Sequence, residues 1–255
     1  MTSHTCATGN NLLAALREDD LALLSPHLEE WQAPSGQAIY NAGDQVTHVY
    51  FPCERSVACF LVMLEEGRAV EIALIGREGA IGGVVSRGAL PAYAHAQVQS
   101  AGLFLRMPIK ELEAAKGVSP FIRSLFVRYA DCLLAQVFQS VACNAVHTIE
   151  QRAAKWLLAA MDRTGEETLS LTQDQLAGML GVSRSYFTRM LKSLRAQGLI
   201  ETGRGTIRVP DRSRLERVSC RCNTALRCHF QLALDGVYPN PIDPAECAPR
   251  PAWFS

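Results

Sequence analysis

The chain has 255 residues, 48% of them apolar and 20% charged, with 25 basic and 25 acidic side chains and a formal net charge of zero. That length holds two domains with sizeable cores. No run approaches the roughly 18 apolar residues of a membrane helix, the longest, 57–64, being strand-sized, and no basic-then-apolar leader is seen. A cytoplasmic protein is expected, with its nine scattered cysteines as reduced thiols.

Charge is unevenly spread. Residues 1–150 carry 10 basic and 15 acidic side chains, residues 151–181 carry 3 and 4, residues 182–217 carry 9 and 3, and residues 218–255 carry 3 and 3. The local excess of +6 over 182–217 is the electrostatic footprint of a nucleic-acid-binding segment attached to a mildly acidic partner domain.

In chain order, residues 10–31 read as helical from a leucine stripe interrupted near Pro26. From Trp31 to Met107 the texture is β: segments 38–40, 46–51, 57–64, 69–75 and 96–107 are separated by turns rich in glycine, asparagine and charge. Strands at that spacing predict a small antiparallel sandwich or jelly roll. Pro108 begins another helical region, and Pro120 suits the first turn of a long helix. Its wide apolar face, with Leu125, Phe126, Tyr129, Leu133, Val137, Phe138 and Val141, predicts an oligomer interface. Residues 147–162 read as an amphipathic helix ended by Gly165, and residues 215–234 as helix-like. Five prolines within 239–255 predict an extended or disordered tail.

The most informative stretch is 171–209. Thr172 and Gln175 have the spacing of a capping box at the start of one helix. Gly181 supplies a turn, and Ser183 caps a second helix with Phe187, Met190, Leu191 and Leu194 at core spacing. The opposite face presents Arg184, Ser185, Thr188, Arg189 and Lys192, short polar and cationic groups suited to the major groove. Residues 199–209 then predict a hairpin wing with Arg204 at its glycine-rich tip, touching the sugar-phosphate backbone.

The segment LTQDQLAGMLGVSRSYFTRMLKSLRAQGLI, preceded by HTIEQRAAKWLL and by a roll with turns at Gly36, Gly43-Asp44 and Gly67-Arg68, resembles the Crp/Fnr family of bacterial transcription regulators over about residues 10–217. The resemblance implies an α+β chain. Its parts would be an antiparallel sensory β-roll of the cyclic-nucleotide-binding type (10–117), a dimerisation helix (118–146), a winged helix-turn-helix (147–217), and a C-terminal helix with a proline-rich tail (218–255). It further implies base contacts from Arg184, Ser185 and Arg189 and backbone contacts from Thr172, Ser183 and Lys192, with Gln173, Tyr186, Thr188 and Arg204 completing the DNA-facing set. The implied partners are double-stranded DNA at a palindromic operator and a second copy of the chain. RNA polymerase is a further partner the resemblance admits, and no membrane is involved.

The chain departs from its best-known relatives in two places. Ser185 replaces a glutamate common in the recognition helix, so their half-sites are not expected here. In the roll, the Gly-Glu and Arg-Ser/Thr pairs that hold a cyclic nucleotide have no counterpart at Ile81-Gly82-Gly83 or at Leu90-Pro91-Ala92-Tyr93, with Arg77 and Arg87 nearby but outside that pattern, and a buried phosphate without a cation is costly. Cyclic AMP is therefore not the expected effector, and an unidentified one is assigned to a pocket of Gly76, Arg77, Glu78, Gly79, Gly82, Gly83 and Tyr93.

No cofactor and no metal site is expected. Cys220 and Cys222, two apart on an expected helix, would point to different faces, and His48, His95 and His147 are isolated along the chain. The alternative reading is a redox- or metal-responsive regulator that uses the C-terminal cysteines. No Gly-x-Ser-x-Gly, phosphate loop or His-x-x-x-His pair is present, so an enzyme is not expected.

Overall fold

The computed structural model describes residues 9–65, 67, 69–84 and 90–247. The N-terminal stretch is not one helix. Helices α1 (Asn11–Ala14) and α2 (Glu18–Leu24) are followed by a 3-10 turn, Ser25–His27, and then by strand β1 (Glu29–Ala33). Pro26 sits in that turn, and residues 29–33 are drawn into the sheet by pairing with a distant strand. Asn10 caps α1 by accepting from the Leu13 N–H, and its amide donates to the Pro52 and Gly79 carbonyls.

The roll follows as β2 (Ala38–Tyr40), β3 (His48–Pro52), β4 (Val57–Met63), β5 (Ala69–Ile75), β6 (His95–Ser100) and β7 (Gly102–Pro108). Two antiparallel sheets face each other, in the orders β1-β7-β3 and β2-β6-β4-β5. The expected strand over 96–107 is two strands, because the chain passes from one sheet to the other near Gly102. Between the sheets lie Ala58, Ile75, Ile81, Val98 and Phe104.

Helix α3 (Ile109–Val118) leads to α4 (Pro120–Val146), with Pro120 in its first turn and Ser119 as its cap. The apolar residues of α4 divide between two faces. Leu125, Phe126 and Tyr129, expected at a dimer interface, are taken up by the chain's own core, and Leu133 packs against the roll. Val127, Leu134, Phe138 and Val141 remain 58%, 47%, 64% and 66% exposed. Val137 is half-buried between the two faces. The spacing of the exposed set, seven, four and three, is that of a coiled-coil seam.

Helix α5 (Ile149–Thr164) begins at a capping box formed by Thr148 and Gln151 and stops at Gly165, whose φ of 70° is left-handed. Then come β8 (Thr168–Ser170), α6 (Gln173–Met179), α7 (Arg184–Ala196), β9 (Glu201–Gly203) and β10 (Thr206–Arg208). The wing is a three-stranded sheet in the order β8-β10-β9, one strand more than the hairpin read from sequence.

The helix expected over 215–234 is also two elements, α8 (Arg212–Val218) and α9 (Cys222–Ala233), broken at Ser219–Arg221. The tail to residue 247 is anchored, with Val237, Tyr238 and Ile242 buried. Arg227 donates to the Asn240 and Pro241 carbonyls, and a disulfide joins Cys228 to Cys247. The expectation of reduced thiols throughout is corrected at that pair. Residues 248–255 lie outside the described part, as does Cys6.

The roll and the C-terminal half share one apolar core. Val57, Cys59 and Leu74 of the roll belong to the same cluster as Leu157, Leu176, Phe187 and Ile207. A second cluster, beneath α4, unites Phe51 and Leu105 with Leu226, Phe230 and Tyr238 from the C-terminal segment.

Candidate nucleic-acid interface

The recognition element is built from its caps. The Thr172 hydroxyl accepts from the Gln175 N–H, while the Gln175 side chain accepts from the Thr172 N–H, closing the reciprocal box. Such a cap contributes about 1 kcal/mol. Helix α6 ends in a tight turn at Gly181, whose φ of 69° a side chain would strain. Ser183 then caps α7 by accepting from the Tyr186 N–H. Phe187, Met190, Leu191 and Leu194 are buried beneath α7, as the periodicity requires.

The outer face is open. Thr172, Gln173, Ser183, Arg184, Ser185, Tyr186, Arg189, Lys192 and Arg204 are exposed, and Thr188 is half-buried, its hydroxyl donating to the Arg184 carbonyl. Ser183, Arg184, Ser185, Thr188 and Arg189 line one shallow surface depression at the start of α7. The Arg189 guanidinium lies 5.8 Å from the Tyr186 ring centroid, so the bulky tyrosine braces the arginine. Arg204 stands at the β9–β10 turn. The ten residues thus form two groups, a cluster along α6–α7 and a separate wing tip.

The segment expected to hold an effector is packed. A Cβ on Gly79 would fall 2.3 Å from the Tyr129 hydroxyl, which donates to the Ala80 carbonyl; one on Gly83 would fall 2.2 Å from Ile109. Glu78 is buried and ion-paired with Arg163 at 2.7 Å, Arg77 donates to the Pro239 carbonyl, and Gly82 abuts His48. Tyr93 is 88% exposed and stands apart from them. Residues 85–89 lie outside the described part.

Beside this junction, burial lifts the Glu71 carboxyl to about 7, against the hydrogen bond it accepts from Trp156 Nε1 at 2.7 Å and the charges of Lys155 and Arg163. Its second oxygen is buried without a partner. Burial likewise pushes the Tyr129 hydroxyl up.

Two features escaped sequence reasoning. One is the Glu78–Arg163 pair, 85 residues apart, for which the chain carries no local signal. The other is a convergence of Cys143, His147, Cys220 and Cys222, whose ligand atoms all lie within 4.8 Å of one another. Cys220 is not on a helix but in the turn before α9, so the two cysteines do not diverge as expected. The i, i+4 spacing of Cys143 and His147 at the end of a helix was the readable signal.

A capped helix pair, an exposed cationic second helix and a β-wing define a winged helix-turn-helix DNA-binding domain. Residues 151–218 match the Crp-like helix-turn-helix domain family. The chain matches no sequence among curated proteins. Solved structures resemble it over most of their length. A protein from Eubacterium rectale assigned to the Crp/Fnr family is 19% identical, with a TM-score of 0.64, covering 81% of this chain and 96% of its own. FixK2 from Bradyrhizobium japonicum is 19% identical, with a TM-score of 0.62, covering 76% and 98%. A Crp/Fnr-family transcriptional regulator from Thermus thermophilus is 22% identical, with a TM-score of 0.61, covering 75% and 98%. The chain carries a Crp-like DNA-binding domain on the fold of the Crp/Fnr transcription regulators, as the resemblance of its sequence implied. Among the described residues no helix is long and apolar enough to cross a membrane.

Proposed function

We propose that the protein is a dimeric, sequence-specific transcription regulator that binds a palindromic DNA site. The observation that carries this reading is the exposed face of α7, where Arg184 and Ser185 of the capped first turn and Arg189 of the second turn stand opposite a buried apolar stripe. Guanidinium groups at such a position suit the O6 and N7 acceptors of guanine, and Thr172, Ser183, Lys192 and Arg204 suit phosphates. The exposed seam on α4 supports self-association, and two-fold symmetry of the protein would be mirrored in the operator.

The effector is a small molecule of unassigned chemistry, or none. The close packing at Gly79 and Gly83 speaks against cyclic AMP. RNA polymerase is the natural further partner of such a regulator. Selection of bound sequences from a random duplex library, at two salt concentrations and without added ligand, tests the reading. The expected result is a palindrome with half-sites about one helical turn apart. Salt-sensitive binding without sequence preference would refute sequence-specific recognition by the ligand-free protein.

A further inference from the structure

Cys143 lies in the last turn of α4 and His147 is the extended residue that ends it, and Cys220, in the turn before α9, and Cys222, its first residue, lie against them. The Cys143 and Cys220 sulfurs are 3.7 Å apart, and Cys222 Sγ is 3.5 Å from His147 Nδ1. The three cysteines are buried and form a small cluster of their own, apart from the three large apolar clusters. Among the described residues this is the one group of three or more ligating side chains that converges.

We propose that Cys143, His147, Cys220 and Cys222 form a closed, tetrahedral binding site for a soft divalent metal ion of the zinc class. The spacing supports a single ion. Ligands about 2.0–2.3 Å from a tetrahedral centre stand roughly 3.3–3.8 Å from each other; the Cys143–Cys220 and Cys222–His147 edges lie in that range, and the remaining edges are all within 4.8 Å. A two- or four-iron cluster spreads its cysteines around a larger core. The donor set of three thiolates and one imidazole is that of structural zinc sites, and it leaves no open position for catalysis.

The surroundings agree. Gln139 Nε2 donates to Cys222 Sγ at 3.1 Å, a hydrogen bond of the kind that orients a metal thiolate. Three thiolates around a divalent ion carry one net negative charge, and Arg152 and Lys155 lie close enough to Cys143 to act on it electrostatically. Binding breaks the S–H bonds of whichever thiols are still protonated, forms metal–sulfur bonds and releases the protons to solvent. No oxidation state changes. The bound ion joins the end of the long helix, just before the DNA-binding domain, to the start of the C-terminal segment.

The site does not depend on DNA binding, and its test uses none. Full-length protein is kept reduced with a phosphine, stripped with a chelator and titrated with cobalt(II). One equivalent is expected to give the intense ligand-field bands of tetrahedral cobalt and a thiolate-to-cobalt charge-transfer band, both abolished by one equivalent of zinc. Cys220→Ser/Cys222→Ser should lose these bands. Cys228→Ser/Cys247→Ser should keep them in full. Should the double variant misfold, Cys143→Ser should retain a weakened charge-transfer band and bind cobalt less tightly than the native chain, because one thiolate ligand is lost. Three outcomes would overturn the proposal: faint octahedral bands from the native chain, a signal of undiminished strength in either cluster variant, or a Cys143–Cys220 disulfide that resists the reductant.

Discussion

Arg163, on the helix that opens the DNA-binding domain, donates from Nε to Glu78 Oε1 in the roll at 2.7 Å, with the two side chains only 1% and 2% exposed. The guanidinium also donates to the Ala159 carbonyl and the Tyr238 hydroxyl. One oxygen of Glu78 and one nitrogen of Arg163 stay buried and unpartnered. Such a pair adds little net stability, but removing one member leaves a charge without its counterion in a dry site. Glu78→Gln is therefore expected to destabilise the chain by about 3–5 kcal/mol, measured by urea denaturation. A change within roughly 0.5 kcal/mol, the usual range for surface positions, would show that water or Asp162 already neutralises Arg163.

Glu71 predicts a pH dependence of stability. Its carboxyl is raised by burial from 4.5 to about 7, so the folded chain keeps a proton that the unfolded chain releases. The stability this provides is complete below about pH 4.5, declines through the window and is lost above about pH 7. A shift of that size corresponds to a total on the order of 3 kcal/mol. Glu71→Gln preserves an acceptor for Trp156 Nε1 and removes the titration. Native melting temperatures should fall relative to the variant from pH 5 to 8. Parallel curves would count against the raised carboxyl.

The local elements were legible in the sequence because their causes are local. The Thr172–Gln175 box, the Gly181 turn and the Ser183 cap each depend on residues within four positions of one another. The roll was legible as a class, from turn spacing alone. Which face of α4 goes inward was not. Tyr129 and Phe138 are both aromatic on one long apolar helix, and contacts distant in sequence, among them the Ala80 carbonyl that takes the Tyr129 hydroxyl, decide between them. The break at Ser219–Arg221 was hidden because nothing there is glycine or proline, and missing it scattered the cysteines that the fold gathers.

At the DNA face, the two arginines and the lysine should separate in their effects. Arg184→Ala or Arg189→Ala is expected to cost about 1–3 kcal/mol on the preferred site and to relax discrimination at the base each reads. Lys192→Ala should weaken all duplexes alike and reduce the salt slope by about one. Titrations of specific and scrambled duplexes at several salt concentrations distinguish the two patterns. If Arg184→Ala and Arg189→Ala both kept full discrimination, α7 would not be the reading helix.

The exposed seam of α4 yields the last expectation. Val127, Leu134, Phe138 and Val141 share one heptad-spaced face, while Leu125, Phe126 and Tyr129 are committed to the chain's own core. A charge on the seam therefore opposes association without touching the fold of the monomer. Phe138→Glu is expected to weaken the dimer about a hundredfold or more, roughly 3 kcal/mol, for loss of an aromatic at the centre of an interface. Its melting temperature, extrapolated to low concentration where both proteins are monomers, should stay near native, because Phe138 is 64% exposed in the single chain. Sedimentation velocity across a concentration series reads the association directly. A variant that remained fully dimeric at nanomolar concentration would place the interface elsewhere. Tyr129→Phe gives the contrasting pattern: it removes the hydroxyl that donates to the Ala80 carbonyl, so it should lower stability by about 1 kcal/mol and leave the sedimentation profile unchanged.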